Sequence, residues 1–206
     1  VIFEIQPTFE DGLNSAQVVW EWHFKDHLIQ DVNSSLDNYG VISEHPELFN
    51  VNEGTVGSNG GPGMDADGDW IHCNAVSYNV SLDQIVMSSR FRDEIFIIDH
   101  STTTEEAAGH TGGVHGKGGD FLYRWGNPEN YEQGSSQYHI LADQHGVNWI
   151  AQGYPGEGNL ILYNNQHNGN SSAVLEFIPP LSENGLSYVI EDGEAFGPTS
   201  WEWIYQ

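Results

Sequence analysis

The stretch QIVMSSRFRDEIFIID, residues 84–99, decides the fold class of this sequence. Two runs rich in β-branched and aromatic residues, 84–89 and 94–99, flank a short polar segment, which is typical of two neighbouring strands. Similar runs recur along the chain between turns rich in glycine, asparagine and aspartate. The other runs are 17–24, 70–78, 121–125, 149–151, 159–164, 174–178, 187–190 and 201–205. The pattern predicts an all-β protein.

Helix is expected to be scarce. Only two segments, 25–32 and 103–108, are candidates for helices. The composition agrees with a folded β protein, because 38 % of the residues are hydrophobic and 12 % are aromatic, too many for a disordered chain. A chain of 206 residues is long enough to bury one sizeable core.

A repeat of about 73 residues relates two strands that carry histidine. One unit begins with IHCN at residues 71–74 and the next with QHGV at residues 144–147. Each unit offers four strand-like runs and ends in an aromatic edge, which is the composition of a β-propeller blade of four antiparallel strands. We predict the end of one blade in residues 1–24, a second blade in 65–127 and a third in 143–206.

Propellers typically need four to eight blades to close their ring. About three blades would therefore be part of a larger propeller, and we expect the sequence to be a fragment. The alternative is a self-contained β-sandwich in which the recurrence of aromatic residues at equivalent positions is incidental.

The charge balance excludes some partners. Thirty acidic residues against five basic ones give a formal charge of −25, which repels nucleic acid. No window approaches the length of an apolar membrane helix, and the first residues lack the basic start of a signal peptide. A single cysteine, Cys73, excludes an internal disulfide.

The first strand of the second unit offers His72 and Asn74 as candidate site residues. Alternation along a strand predicts that their side chains share one face. In a propeller the innermost strand of each blade lines the central channel, so both side chains would project into it. Read alone, a histidine in a strand is more often structural than catalytic.

Arg90 and His145 complete the set that the residues themselves suggest. The forked donors of Arg90 match a tetrahedral oxyanion. In so acidic a chain, a surface ion pair is an equally supported alternative. His145 is equivalent to His72 by the repeat, and an imidazole can be a nucleophile, a base or a cationic clamp. Two such histidines near an arginine suggest a site that handles anions.

Metal and cofactor sites are not expected. The acidic stretch 65–69 resembles a calcium loop, but residues 70 and 76 break that pattern, so a plain acidic turn is favoured. His110 and His115 lie in a glycine-rich loop that we interpret as structural or channel-covering rather than zinc-binding. We therefore predict no metal and no cofactor.

Several motifs in order resemble the arylsulfotransferase family. They are IIDHSTTTEEAAGHTGG at 97–113, GGDFLYRWGNP at 118–128, DWIHCNAV at 69–76, QIVMSSR at 84–90 and QH at 144–145. The resemblance extends from Val19 to Trp203. It implies a six-bladed propeller that moves a sulfuryl group from a phenolic sulfate ester to a phenol acceptor, without a nucleotide sulfate donor.

The resemblance also implies residue roles and a ping-pong mechanism. His145 matches the histidine that is transiently sulfated, while His72, Asn74 and Arg90 match residues that bind the sulfuryl oxygens or assist the departing phenolate. Thr199 falls near a sulfate-binding threonine. The predicted catalytic residues are thus His145, His72 and Arg90, with Asn74 and Thr199 binding substrate. A further catalytic histidine of the family belongs to a blade upstream.

The remaining expectations concern location and alternatives. The family implies a periplasmic or secreted protein, with a phenolic sulfate donor and a phenol acceptor as small-molecule partners and a possible homodimer of the full-length protein. The alternatives are a non-catalytic propeller domain that binds a sulfated or phenolic ligand, and a sulfate-ester hydrolase.

Overall fold

The computed structural model of the chain describes residues 1–10, 13–53, 68–134, 136–191 and 193–205. Its strands are β1 Ile2–Glu10, β2 Leu13–Trp22, β3 Leu28–Ile29, β4 Phe49–Asn50, β5 Cys73–Asn79, β6 Gln84–Ser89, β7 Glu94–Asp99, β8 Phe121–Trp125, β9 His145–Trp149, β10 Leu160–His167, β11 Ser171–Phe177 and β12 Trp203–Tyr205. The α-helix in this part is α1 Thr104–Ala107. Short 3₁₀ turns lie at Phe24–Asp26, Ile42–Glu44, Arg90–Arg92, Pro128–Tyr131 and Ser136–Tyr138. No described helix is long and apolar enough to cross a membrane.

Two four-stranded antiparallel sheets dominate the fold. One joins β5, β6, β7 and β8 in that order, and the other joins β9, β10, β11 and β12. Each strand therefore pairs with its neighbour in the chain, as in a propeller blade. The all-β prediction is confirmed, and the sheets are consistent with a propeller fragment.

Three strands of the first sheet, β6, β7 and β8, are buried on both faces. Strands β6, β7 and β8 alternate side chains between two apolar clusters. One cluster lies between the two sheets, where Trp125 stacks on Phe177 with ring centroids 3.9 Å apart. The other covers the opposite face, where Trp20 and Trp22 of β2 pack with Phe96 and other residues of the sheet. The first sheet thus lies between β2 and the second sheet, and is the central sheet of the fold.

Two predicted helices had different outcomes. The helix at 103–108 is confirmed as α1, which begins with a capping box in which Thr103 and Glu106 bind each other's backbone N–H groups. The helix at 25–32 is wrong. A 3₁₀ turn at 24–26 is followed by β3, which pairs in parallel with β4. The side chain of His27, just before β3, is fully buried, with Nδ1 2.7 Å from Oδ1 of Asp120.

A buried ion pair fixes the edge of the first sheet. Arg124 donates from Nε and Nη2 to both carboxylate oxygens of Glu94, at 2.8 and 2.6 Å. Asn130 donates to the same carboxylate at 2.7 Å, and Arg124 also donates to the carbonyl of Leu48 at 3.0 Å. The guanidinium carbon lies 4.3 Å from the ring centroid of Tyr131. Burial raises the pKa of Glu94, and the arginine opposes that rise.

Removing the charge of Glu94 should destabilise the fold strongly. In Glu94→Gln the buried guanidinium of Arg124 loses its counter-charge, which typically costs about 3–5 kcal/mol. We expect a large drop in the urea midpoint of the chain, followed by tryptophan fluorescence. The exposed Glu202→Gln serves as the control and should change the midpoint little. Equal midpoints for the two variants would contradict this account of the ion pair.

Candidate active site

The candidate site lies where the two sheets meet at their first strands. Strands β5 and β9 pack side by side. Asn74 of β5 donates from Nδ2 to the carbonyl of Gln144 at 2.7 Å, and Arg90 donates from Nε to Oδ1 of Asp143 at 2.8 Å. Side chains of the first sheet therefore bind the residues that lead directly into His145.

Gln144 holds this junction in place. Its side chain is fully buried and donates from Nε2 to the carbonyls of Ser89 and Glu94, at 2.8 and 2.9 Å. Both carbonyls belong to the first sheet, at the end of β6 and the start of β7. The backbone that precedes His145 is thus anchored to the first sheet from two sides, through Gln144 and through Asp143.

The ring of His145 is half-buried and bound at one nitrogen. Nδ1 lies 2.9 Å from the carbonyl oxygen of Asp143 and 2.8 Å from Nδ2 of Asn165. With a hydrogen on Nδ1, the ring donates to Asp143 and keeps a free lone pair on Nε2. When Nδ1 instead accepts from Asn165, the hydrogen lies on Nε2 and the ring becomes a donor. The first tautomer provides a nucleophile, and the second an anion-binding group.

His72 precedes β5 rather than lying within it. Its backbone has a φ of +50°, and a register shift between Cys73 and Ala75 marks a bulge at Asn74. Simple alternation therefore does not describe the relation between His72 and Asn74. The carboxylate of Asp69 accepts hydrogen bonds from Nδ1 and from the backbone N–H of His72. Such a carboxylate orients the imidazole and leaves Nε2 available.

Arg90 is close to His72 and forms an ion pair, the alternative to its predicted anion-binding role. Its backbone N–H donates to the carbonyl of His72 at 3.1 Å. The side chain, one-third exposed, forms an ion pair with Asp143 through Nε. Within the described residues no hydrogen bond occupies its terminal amino groups, which can therefore meet a ligand. The ion pair also fixes the direction of the guanidinium.

Asn74 contributes an amide whose oxygen is buried. Oδ1 has no hydrogen-bond partner among the described residues, whereas Nδ2 uses one of its two hydrogens on Gln144. The second hydrogen can be donated to an oxyanion. Buried polar atoms without a partner are uncommon, and a role in ligand binding is one explanation for them.

Thr199 lies apart from these contacts. It lines a cavity of about 490 Å³ together with Asp93, Gln166 and Trp201. Gln166 also donates to the carboxylate of Asp143, so the cavity adjoins the site through that side chain. The structure thus connects His72, Asn74, Arg90 and His145 by hydrogen bonds that run through residues 143 and 144. Thr199 lies outside this group, and only Gln166 lies between its cavity and Asp143.

Sequence reasoning gave no role to Asp143, Asp69 and Asn165. Asp143 binds Arg90 through its side chain and His145 through its carbonyl, and its N–H donates to Asp93 at 2.8 Å. Its position two residues before a predicted catalytic histidine is the signal that could have identified it. Asn165 carries no such signal, because only the pairing of β10 with β9 brings it to the ring.

The predicted structural histidine loop is partly explained. His115 lies near the carbonyl of Leu186, with Nδ1 at 2.9 Å, and near the side chain of Gln84, so it ties the loop to neighbouring segments. The acidic stretch at 65–69 cannot be assessed as a calcium loop, because residues 65–67 lie outside the described residues.

Comparison with known families gives the family of the chain. A family model described as Arylsulfotransferase (ASST) matches residues 11–186. The matched range contains His72, Asn74, Arg90 and His145, and it ends before Thr199. No curated protein matches the chain. Because the matched residues make up most of the sequence, the chain belongs to the arylsulfotransferase family.

Proposed function

We propose that the protein transfers a sulfuryl group from a phenolic sulfate ester to a phenol, through a sulfated His145. Family membership supports arylsulfotransferase activity in general. The observation that carries the specific proposal is the contact between Nδ1 of His145 and the carbonyl of Asp143, which leaves Nε2 free as a nucleophile. Arg90, bound to the same aspartate, supplies a cation beside it.

The first half-reaction sulfates the enzyme. The lone pair on Nε2 of His145 attacks sulfur, a nitrogen–sulfur bond forms, and the bond between sulfur and the phenolic oxygen breaks. The phenolate leaves with the electron pair of that bond. The ring gains positive charge, which the hydrogen bond from Nδ1 to the Asp143 carbonyl stabilises. Protonated His72, oriented by Asp69, gives its proton to the departing phenolate.

The second half-reaction reverses these steps with a new phenol. His72, now neutral, takes the proton of the acceptor hydroxyl, and the phenolic oxygen attacks sulfur. The nitrogen–sulfur bond breaks, and the electron pair returns to Nε2 of His145. Both histidines recover their starting protonation states, so the cycle is balanced with no other reactant.

Electrostatics assign Arg90 and Asn74 to the sulfuryl oxygens. A chain with a formal charge of −25 repels an aryl sulfate, so the site needs local positive charge and preorganised donors. The terminal amino groups of Arg90 and the second amide hydrogen of Asn74 are suitable donors. Thr199 would join them only from the adjoining cavity.

A binding module is the second candidate. The contact between Asn165 and Nδ1 of His145 favours it, because this contact places the hydrogen on Nε2 and makes the ring a donor rather than a nucleophile. Such a site would hold a sulfated ligand without covalent transfer.

The wider setting of the enzyme is also part of the proposal. Periplasmic or secreted location and a six-bladed propeller, with blades ending near 24, spanning 65–127 and spanning 143–206, remain expectations from the family and the repeat. A homodimer remains possible for the full-length protein, and the natural donor and acceptor are small phenolic compounds.

Covalent transfer through His145 can be tested by intact mass spectrometry. Brief exposure to p-nitrophenyl sulfate should add about 80 Da to the wild type, because the nucleophile keeps the sulfuryl group until an acceptor arrives. His145→Ala should show no adduct, whereas His23→Ala, the control, should be sulfated like the wild type. Nitrophenol release without an adduct would exclude the ping-pong path and favour hydrolysis or direct transfer. Binding without release would favour the binding module.

Arg90→Gln should lower kcat by about 10²- to 10³-fold, the cost typical of removing a donor that stabilises developing negative charge. Lys25→Gln removes the same charge from an exposed position and is the matched control. Initial rates of nitrophenol release with a saturating phenol acceptor would measure both. Similar losses in the two variants would mean that Arg90 acts only through the overall charge of the protein.

A further inference from the structure

A second group of ionisable side chains lies away from the candidate active site. His27 follows β2, His110 lies in the loop after α1, and Asp120 immediately precedes β8. Nδ1 of His27 lies 2.7 Å from Oδ1 of Asp120, and Nδ1 of His110 lies 2.8 Å from the same oxygen. The three ligand atoms lie within 4.8 Å of one another.

The protonation of His27 is constrained by its other nitrogen. Nε2 lies 2.9 Å from the carbonyl oxygen of Ala107, and a carbonyl can only accept, so Nε2 carries a hydrogen. In a neutral ring Nδ1 then has a lone pair, which faces a carboxylate oxygen. Two acceptors at this distance repel each other. Either a proton, on the ring or on the carboxyl group, or a metal ion must therefore lie between Nδ1 and Asp120.

The surroundings hold His27 in this orientation. Its side chain is fully buried and stacks on Trp22, with ring centroids 5.3 Å apart and an interplanar angle of 3°. Gly119 closes the other side, since a Cβ there would lie 2.0 Å from the Ala107 carbonyl and 2.7 Å from Nε2 of His27. Metal-bound histidines typically donate their second N–H to such a carbonyl.

We propose that His27, His110 and Asp120 bind one divalent transition-metal ion of the zinc type. Two imidazole nitrogens and one carboxylate suit zinc, whereas calcium and magnesium prefer oxygen ligands only. Bonds of about 2.0–2.2 Å would require the ligand atoms to separate by less than about 1 Å from their present positions. The chain's strong negative charge favours the gain of a cation.

The fourth ligand position faces solvent. The side chain of His110 is 60 % exposed, and it borders a cavity of about 390 Å³ that His45, Glu47 and Lys117 also line. A water molecule can therefore complete the coordination. The ion would link the segment after β2, the loop after α1 and the start of β8, so its binding should stabilise the chain against unfolding.

Zinc binding to the dialysed full chain tests this proposal. Isothermal titration with Zn²⁺, in excess Mg²⁺ to occupy the acidic surface, should give one ion per chain for the wild type. His110→Ala should lose at least about 10- to 100-fold in affinity, the loss known for even the outer partners of metal ligands. His139→Ala is the control, because His139 also contacts a carboxylate, that of Asp93 at 3.2 Å, yet lies outside the group.

His110 is chosen for substitution because its side chain is exposed, so its removal should not unfold the chain. Circular dichroism would verify that the variant is folded. Co²⁺ offers a second readout through its visible absorption, which should disappear in His110→Ala alone. Absence of tight zinc binding by the wild type, or equal binding by all three proteins, would overturn the proposal. A proton, rather than a metal ion, would then lie between Nδ1 of His27 and Oδ1 of Asp120.

Discussion

The fold depends on covering both faces of the central sheet. Strands β6, β7 and β8 bury every side chain, so neither face can remain in contact with water. One face is covered by the second sheet and the other by the tryptophans of β2. Because both faces must be covered, this sheet, which is rich in isoleucine and phenylalanine, lies between the second sheet and strand β2.

The candidate site follows from that packing. Docking the second sheet on the first brings β9 beside β5, and the polar residues at the ends of these strands must then satisfy one another. Gln144 does so from inside the junction, and Asp143 from its solvent side. His145 at the start of the second sheet and Arg90 of the first sheet thus owe their proximity to the same apolar contact that stabilises the fold.

Sequence reasoning predicted the strands that a local residue pattern encodes, and it missed the contacts that form only when the sheets pack. Runs 84–89, 94–99 and 121–125 were predicted with their observed bounds, because large apolar and aromatic residues are concentrated in each of them. Strand β1, interrupted by Pro7 and by acidic residues, was missed. The repeat and the family motifs predicted His145 and Arg90 as candidate site residues, which remain predictions. The contacts of Asn165 with His145, and of His27 with Asp120 across 93 residues, carry no local signal, because the folded sheets alone create them.

The burial of arginine has a consequence for how the protein meets its solvent. Of the five basic residues, Arg92 and Arg124 are buried, so positive charge at the surface is even scarcer than the composition indicates. Under the proposed function, the net negative charge of the chain would repel a sulfate ester as it approaches Arg90. Dissolved salt shortens the range of that field, to about 10 Å at 0.1 M. For an anionic substrate such as the proposed one, ionic strength would therefore change the rate of entry through the distribution of charge alone.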